Sequence, residues 1–194
     1  EEGGTVTRVS GFKAFRPEPF PSPRSLYERG GLELVLSLES EKAFLLSDLG
    51  LNVNLAPVCD IAQRPGSFLY SRSLGADPET TGQFVSQSLK RMAEYGVGGV
   101  MKHFPGYGEN GDTHLDGVVD DRSLSELESR DLLPFAAGIQ TGLGAVMLSH
   151  NTVTALDPQS PASLSGNVVA YLREEMGFSG VILTDDLSMG ALKS

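Results

Sequence analysis

Short apolar runs recur along the chain, and each begins at a glycine or directly after one. They cover residues 51–58, 97–101, 144–148 and 180–183. Most of their side chains are aliphatic or β-branched, which is typical of strands buried on both faces of a parallel sheet. The pattern therefore predicts four short strands.

The residues between these runs show helical spacing instead. Apolar side chains recur three and four positions apart over residues 33–49, 79–95, 124–140 and 168–176. Pro134 predicts a kink or a late start in the third of these helices. Helices that alternate with buried strands favour a parallel α/β sheet or barrel.

The length of the chain leaves two α/β architectures open. A closed eight-stranded barrel needs about 250 residues, and the chain has 194 residues. Four strand–helix units therefore fit either part of such a barrel or a complete doubly wound open sheet. Periodicity alone does not separate the two.

Composition narrows the function classes. Hydrophobic residues make up 40% of the chain, which is enough for a folded core, and no apolar run is long enough to predict a membrane span. The net charge of −10 disfavours a nucleic-acid partner, because phosphates would be repelled. The single cysteine, Cys59, excludes an intrachain disulfide. The compartment, cytoplasmic or exported, and the oligomeric state stay open.

Polar side chains collect where the predicted strands end. They are Asp60, Lys102, His103, Asp112, His114, Ser149, His150, Asn151, Asp185 and Asp186. All three histidines of the chain belong to this set. Because the carboxyl ends of parallel strands share one edge of the sheet, the sequence predicts a functional site at that edge.

Most of these residues also have a purely structural interpretation. Asp185 or Asp186 can cap a helix that begins at Leu187, since aspartate is a favoured cap. His103 and His150 can be hydrogen-bonded core histidines. The glycines within residues 106–108 can simply permit a sharp turn.

The chain lacks the sequence motifs of several common enzyme classes. The chain has no Gly-Lys-Ser/Thr phosphate loop and no Gly-x-Ser-x-Gly nucleophile elbow. Histidines combined with Asp112 or Asp116 could bind a metal, but no His-x-x-x-His pair is present, which disfavours zinc. The sequence therefore disfavours a metal site.

Acid–base chemistry on a sugar fits the same residues better. An aspartate at a strand end, Asp185, can attack an anomeric carbon, and a retaining glycosidase then needs an acid/base group across the bond. A histidine serves because its pKa lies near neutrality. Asp112 and His114 are two positions apart, so in an extended loop they can pair, and the carboxylate can fix the imidazole tautomer.

Two long motifs resemble the β-N-acetylhexosaminidases of glycoside hydrolase family 3. They are Lys-His-Phe-Pro-Gly-x-Gly at residues 102–108 and Ile-Leu-Thr-Asp-Asp-Leu-Ser-Met at residues 182–189. Further segments that are similar to family segments are residues 1–4, 54–60, 72–78 and 176–182. The resemblance therefore runs along the whole chain.

The resemblance implies a role for seven residues. Asp185 matches the nucleophile, and His114 matches the acid/base that Asp112 orients. The positions that match sugar-binding residues of the family are Lys102, His103, Arg72 and Arg8. The implied substrate is a terminal β-linked N-acetylglucosamine of a muropeptide or chitooligosaccharide, and the implied chemistry uses no cofactor.

The resemblance also implies the fold, an α/β (β/α)8 TIM-barrel-like domain. Residues 1–194 would form part of a single N-terminal catalytic barrel domain. We expect an incomplete barrel that lacks its first and last strands, together with the family's sugar-binding aspartate before Glu1. Because open strand edges and apolar faces would be exposed, we expect this chain to be poorly stable alone.

Two positions depart from the family pattern. Tyr107 stands where the family usually has a second histidine, and the stretch from Gly108 to Asp112 is one residue shorter than expected. The shorter loop makes Asp116 a competing partner for His114.

Other functions remain as alternatives. They are a family 3 β-glucosidase or β-xylosidase, an N-acetylglucosaminide phosphorylase, and a non-catalytic sugar-binding remnant. The Pro-Gly-x-Gly sequence after Phe104 disfavours the glucosidase and xylosidase. A histidine acid/base repels incoming phosphate less than a carboxylate does, which keeps the phosphorylase open.

Overall fold

Helices and strands alternate along the computed structural model, which describes residues 1–109 and 117–192. The helices are α1 (Pro23–Asp48), α2 (Pro78–Glu94), α3 (Leu124–Ser129), α4 (Leu132–Ile139) and α5 (Gly166–Ala170). A π-helical turn, Tyr171–Glu175, continues α5, and two 3-10 turns cover Ala162–Leu164 and Gly190–Leu192. The strands are β1 (Val53–Asn54), β2 (Gly98–Phe104), β3 (Val119–Asp120), β4 (Ala145–Leu148), β5 (Thr152–Val153) and β6 (Ile182–Thr184).

The main sheet has four parallel strands in the order β1-β2-β4-β6. Its register pairs Val53 with Gly98, Val100 with Ala145, and Val146 with Ile182. Within the described ranges the sheet is open, as expected for part of a barrel. The carboxyl ends of all four strands therefore lie along one edge, which is where an α/β fold places its site.

Helix α2 illustrates how the sequence determines an element that supports this sheet. The Asp77 side chain accepts a hydrogen bond from the Thr80 amide, and Pro78 occupies the first turn, where its missing N–H costs nothing. The buried stripe of α2 includes Phe84, Val85, Leu89 and Met92. This stripe follows the helical repeat, so one face of α2 packs into the core.

The core fills the space between the sheet and helices α2 and α4. The Phe104 and Phe135 rings meet edge to face, with centroids 5.1 Å apart. Gly138 of α4 lies so close to β2 that an added Cβ would be 2.2 Å from the Met101 sulfur. This close packing fixes β2, whose last residues carry the candidate chemistry.

Three of the four predicted strands are confirmed at nearly their predicted ends. The first run forms only the short strand β1, although Val58 adds a parallel bridge to Lys102. The small parallel pair β3–β5 was not predicted, because two-residue strands leave no detectable period.

The helix predictions were less accurate at their boundaries. Helix α1 begins at Pro23, not near residue 33, because Ser22 caps a first helical segment that joins the predicted one across a kink at Gly30 and Gly31. The helix predicted over residues 124–140 is divided into α3 and α4 at Arg130. None of the helices in the part of the chain that is described combines the length and apolar character needed to cross a bilayer.

Candidate active site

Four of the predicted site residues lie at one edge of the sheet, three of them at strand ends. Lys102 and His103 belong to the last residues of β2, and Asp185 follows β6 directly. The Asp185 amide donates to the Leu148 carbonyl oxygen at the end of β4, at 3.0 Å. Arg72, from the loop before α2, reaches the same edge through its contacts with Glu2 and His103.

A buried carboxylate, Glu2, is the centre of the cluster. Its two oxygens accept hydrogen bonds from Arg72 Nε and Nη2 at 2.9 and 2.8 Å. The Lys102 ammonium lies 2.6 Å from Glu2 Oε1. Two basic groups thus share one acidic partner that is 2% exposed. Charge-assisted and bidentate bonds of this kind hold side chains in a defined geometry.

The protonation of this cluster follows from its contacts. Burial alone would raise the pKa of Glu2, but the Arg72 hydrogen bonds and the Lys102 charge lower that pKa from 4.5 to about 2. Burial also opposes the charge of Arg72, and Glu2 offsets it, helped by Asp60 and Asp185, so the pKa of Arg72 is raised. Glu2 and Arg72 therefore stay ionised near neutral pH.

His103 is held between Asp60 and Arg72. Its backbone N–H and its Nδ1 both lie against Asp60 Oδ2, at 2.9 and 2.8 Å. Its Nε2 lies 3.4 Å from Arg72 Nη2. Because a carboxylate only accepts, Nδ1 donates to Asp60. The imidazole thus has a defined orientation between Asp60 and Arg72.

Asp60 is buried and holds this part of the site through hydrogen bonds to His103 and to the Tyr107 amide. It is 1% exposed, and its second oxygen accepts from the Tyr107 amide at 2.9 Å. Burial would raise the pKa of Asp60, but electrostatic interaction and hydrogen bonds with His103, together with the Tyr107 amide, lower it. Burial next to Asp60 raises the pKa of Cys59 well above its usual range, so that thiol is not a nucleophile.

The two consecutive aspartates after β6 have different contacts. Asp186 Oδ1 accepts from the Ser188 amide at 2.8 Å, which is the local turn role that aspartate often takes. Asp185 is half-buried, accepts from the Asp186 amide at 2.8 Å, and acts electrostatically on Arg72. The turn therefore depends on Asp186, while the charge of Asp185 acts on Arg72. Residues 187–189 do not form the helix that was considered at Leu187.

His150 has the structural role that the sequence left open. It is 1% exposed, its Nδ1 lies 2.6 Å from the Ser163 hydroxyl, and its Nε2 lies 3.0 Å from the Asp186 carbonyl oxygen. With Nε2 protonated, the ring donates to that carbonyl and fixes the backbone next to Asp185. His150 thus supports the segment, and among the described residues no hydrogen bond or ion pair joins it to Glu2, Lys102 or Arg72.

Asp112 and His114, with the competing Asp116, lie outside the described residues. Arg8 is described, and it does not join the cluster. The Arg8 side chain is exposed and donates to the Thr7 carbonyl oxygen at 3.1 Å. Within the described ranges, no hydrogen bond or ion pair joins Arg8 to Arg72, Lys102 or His103. The Arg8 amide instead donates to Glu1 Oε2 at 2.8 Å.

Two residues of the cluster were not assigned a role from the sequence. Glu2 stands in the motif at residues 1–4, and Asp60 follows the first apolar run. Their signals were a carboxylate at a glycine-rich turn and a carboxylate at a strand end. Among the residues that the structure describes, no group of three or more His, Cys, Asp or Glu side chains is arranged to hold a metal ion. The arrangement is suited to hydrogen bonding with a polar ligand.

Similarity to characterised sequences extends over the whole chain. Residues 1–194 match the family described as glycosyl hydrolase family 3 N terminal domain. A beta-hexosaminidase of Xylella fastidiosa (strain M23) is 37% identical over 200 residues, which cover 100% of this chain and 58% of that protein. The chain therefore spans somewhat more than half the length of the curated relatives that it matches.

Solved structures share the fold. A glycoside hydrolase family 3 beta-N-acetylglucosaminidase from Paenibacillus sp. str. FPU-7 superposes with a TM-score of 0.89 at 34% identity, covering 97% of this chain and 36% of that one. NagZ from Neisseria gonorrhoeae, in complex with N-trifluoroacetyl-D-glucosamine, superposes with a TM-score of 0.80 at 31% identity, covering 97% and 57%. The parallel strands, the motifs and these similarities agree: the chain belongs to the glycosyl hydrolase family 3 N-terminal domain family.

Proposed function

We propose that this chain carries the catalytic site of a retaining β-N-acetylglucosaminidase. The proposed substrate is a glycan with a terminal β-linked N-acetylglucosamine, of the muropeptide or chitooligosaccharide type. The observation that carries the proposal is the cluster in which Arg72 and Lys102 share the buried Glu2, with Asp185 near enough to act on Arg72. Relatives named beta-hexosaminidase support the same substrate class.

The cluster suits recognition of a sugar ring. Arg72 and Lys102 still have donors beyond those given to Glu2, because a guanidinium has five N–H donors and an ammonium has three. His103 is oriented by Asp60 and adds a polar edge beside Arg72. Fixed donors and acceptors of this kind bind hydroxyl groups with little reorganisation.

The proposed reaction has two steps. A carboxylate oxygen of Asp185 attacks C1 of the sugar, the bond from C1 to the leaving oxygen breaks, and protonated His114 donates its proton to that oxygen. Neutral His114 then takes a proton from water, the water oxygen attacks C1, and the ester to Asp185 breaks. Two inversions at C1 retain the β configuration. Asp112 would orient His114 and stabilise its charged form.

The substrate class is tested by a rate comparison with the full-length protein expressed from its complete reading frame. We expect fast release from an aryl N-acetyl-β-glucosaminide and slow release from an aryl β-glucoside. Preference for the glucoside would contradict the proposal and point to the β-glucosidase alternative. Added phosphate separates the phosphorylase alternative, because only a phosphorylase would produce a sugar 1-phosphate.

The assignment of Asp185 is tested with a matched pair of variants. Asp185→Asn should abolish turnover of the aryl N-acetyl-β-glucosaminide, because an amide is a far weaker nucleophile. Asp186→Asn should keep most of the activity, because its side-chain oxygen can still accept from the Ser188 amide. Loss of turnover in Asp186→Asn, together with retained turnover in Asp185→Asn, would reverse the assignment.

A further inference from the structure

A buried ion pair lies on α1, behind the Glu2 cluster and outside the proposed site. Lys42 Nζ is 2.6 Å from Glu39 Oε1, and the two residues are 4% and 2% exposed. Lys42 also donates to the backbone carbonyl oxygen of Glu2 at 2.9 Å. Apart from this bond, the surroundings are mostly apolar, since the side chains that line the space beside the pair include Val58 and Phe84.

Stability alone does not account for a charged pair at this position. Taking two charges out of water is costly, and apolar residues of similar volume often replace such a pair without loss of stability. The apolar lining around Glu39 and Lys42 would accept such a replacement. The feature that an apolar pair would not reproduce is the hydrogen bond from Lys42 to Glu2.

With that bond, the amide, the carbonyl and the carboxylate of Glu2 all have hydrogen-bond partners. The Glu2 amide donates to the Val6 carbonyl oxygen at 3.1 Å, and the Glu2 carboxylate accepts from Arg72 and Lys102. The next residue, Gly3, has a positive φ of 105° and lies against the Pro21 carbonyl oxygen, where a Cβ would be 2.3 Å away. The peptide that Lys42 holds is therefore at a sharp, closely packed turn.

We infer that Lys42, paired with Glu39, is a positioning residue for sugar binding, acting through Glu2 on Arg72 and Lys102. Lys42 contacts the Glu2 backbone, and its charge is balanced by Glu39. Removing its donor would let the Glu2 turn shift, and the two basic groups would follow their shared carboxylate. This inference rests on the proposed function, because it concerns the same sugar-binding cluster.

The decisive comparison separates positioning from stability with three variants of the full-length protein. Lys42→Met alone leaves Glu39 as a buried, unpaired charge and should destabilise the fold. The double variant Glu39→Leu with Lys42→Met removes both charges and should unfold near the native midpoint. The control is Glu41→Gln. Glu41 also lies on α1, and it is an exposed side chain that pairs with Arg16.

The expected result is a split between KM and kcat. In the folded double variant, KM for the aryl N-acetyl-β-glucosaminide should rise about tenfold, which is the change in affinity that the loss of one charge-assisted hydrogen bond produces. The value of kcat should change less than about twofold. The Glu41→Gln control should keep the native KM and midpoint. A folded double variant with native KM would overturn the inference, since a purely structural pair predicts that outcome.

Calorimetric binding of N-acetylglucosamine makes the two failures distinguishable. If the native protein binds this sugar without hydrolysing the aryl substrate, the proposed function fails, and the dissociation constant still tests Lys42. A rise of about tenfold in the double variant supports the inference, and an unchanged constant overturns it. If the native protein neither binds nor hydrolyses, both proposals are overturned.

Discussion

Both carboxylate oxygens of Glu2 accept hydrogen bonds from the Arg72 guanidinium, at 2.9 and 2.8 Å, although the residues are 70 positions apart in the sequence. The pair joins the turn at the beginning of the chain to the loop before α2. Since Lys102 of β2 shares the same carboxylate, one buried acid aligns residues from three segments. The geometry of the proposed sugar site therefore depends on Glu2 as much as on the cations.

The first prediction concerns the pH dependence of stability at Glu2. Its pKa is lowered from 4.5 to about 2 in the folded protein, so its ionised form is stabilised. That contribution, about 3 kcal/mol, is fully present above pH 4.5 and is lost as the pH falls through about 2. The free-energy difference between the native protein and Glu2→Gln should therefore shrink as the pH is lowered through this window.

Chemical denaturation at several pH values measures this difference. Other acidic groups titrate in both proteins, so their contribution cancels when the two free energies of unfolding are subtracted. The difference in free energy of unfolding should fall as the pH approaches the pKa of about 2. A difference that stays constant from pH 5 down to the lowest accessible pH would contradict the ionised, paired state of Glu2.

The second prediction concerns Asp60. In Asp60→Asn, an amide NH2 replaces one of the oxygens that accept from His103 and the Tyr107 amide, so at least one buried donor loses its partner. We expect a loss of about 1–3 kcal/mol in the free energy of unfolding and a higher KM for the aryl N-acetyl-β-glucosaminide. Asp77→Asn is the matched control, because asparagine caps a helix as well as aspartate. Equal behaviour of the two variants would argue against the anchoring role of Asp60.

The third prediction concerns Arg122, which bridges two buried acids after the segment that carries His114. Its Nη2 is 2.6 Å from Asp120 Oδ2, and its Nη1 is 2.6 Å from Asp131 Oδ2. Arg122→Met leaves both carboxylates without this partner and should cost about 3–5 kcal/mol. Arg122→Lys keeps the charge but not the forked geometry, so an intermediate loss is expected. Thermal unfolding that ranks the variants otherwise would contradict this interpretation.

The fourth prediction compares two glycines in helices. In Gly138→Ala the added methyl would meet the Met101 sulfur at 2.2 Å and Val85 at 2.9 Å, so we expect overpacking to cost about 1–3 kcal/mol. In Gly166→Ala nothing lies within 4 Å, so the substitution should be neutral or stabilise the helix slightly. Thermal unfolding of both variants tests whether α4 packs on β2 as closely as described.

The edge that carries the site could be predicted from the sequence because strand ends follow from short apolar runs. Lys102, His103 and Asp185 each stand at the end of such a run, and parallel strands bring their ends together. The hydrogen bond that Asp186 accepts from the Ser188 amide is also of a kind that sequence can predict, since an aspartate followed by a turn commonly accepts from a nearby amide.

The contacts of Glu2 could not be predicted in the same way. Its pairing with Arg72 depends on how the first turn packs against the sheet, and no local period encodes that distance. The true start of α1 was missed for a different reason. Ser22 and Pro23 are a recognisable cap and first turn, but Gly30 and Gly31 interrupt the apolar repeat that indicates a helix.

The most direct test of the central claim is to trap the covalent intermediate. A slowly hydrolysed fluorosugar analogue of N-acetylglucosamine, incubated with the full-length protein and followed by proteolysis and mass spectrometry, should leave one sugar on Asp185. An adduct on Asp186 or on another residue would contradict the assignment of the nucleophile. Turnover of the parent substrate with inversion at C1, and no adduct, would contradict the retaining mechanism itself.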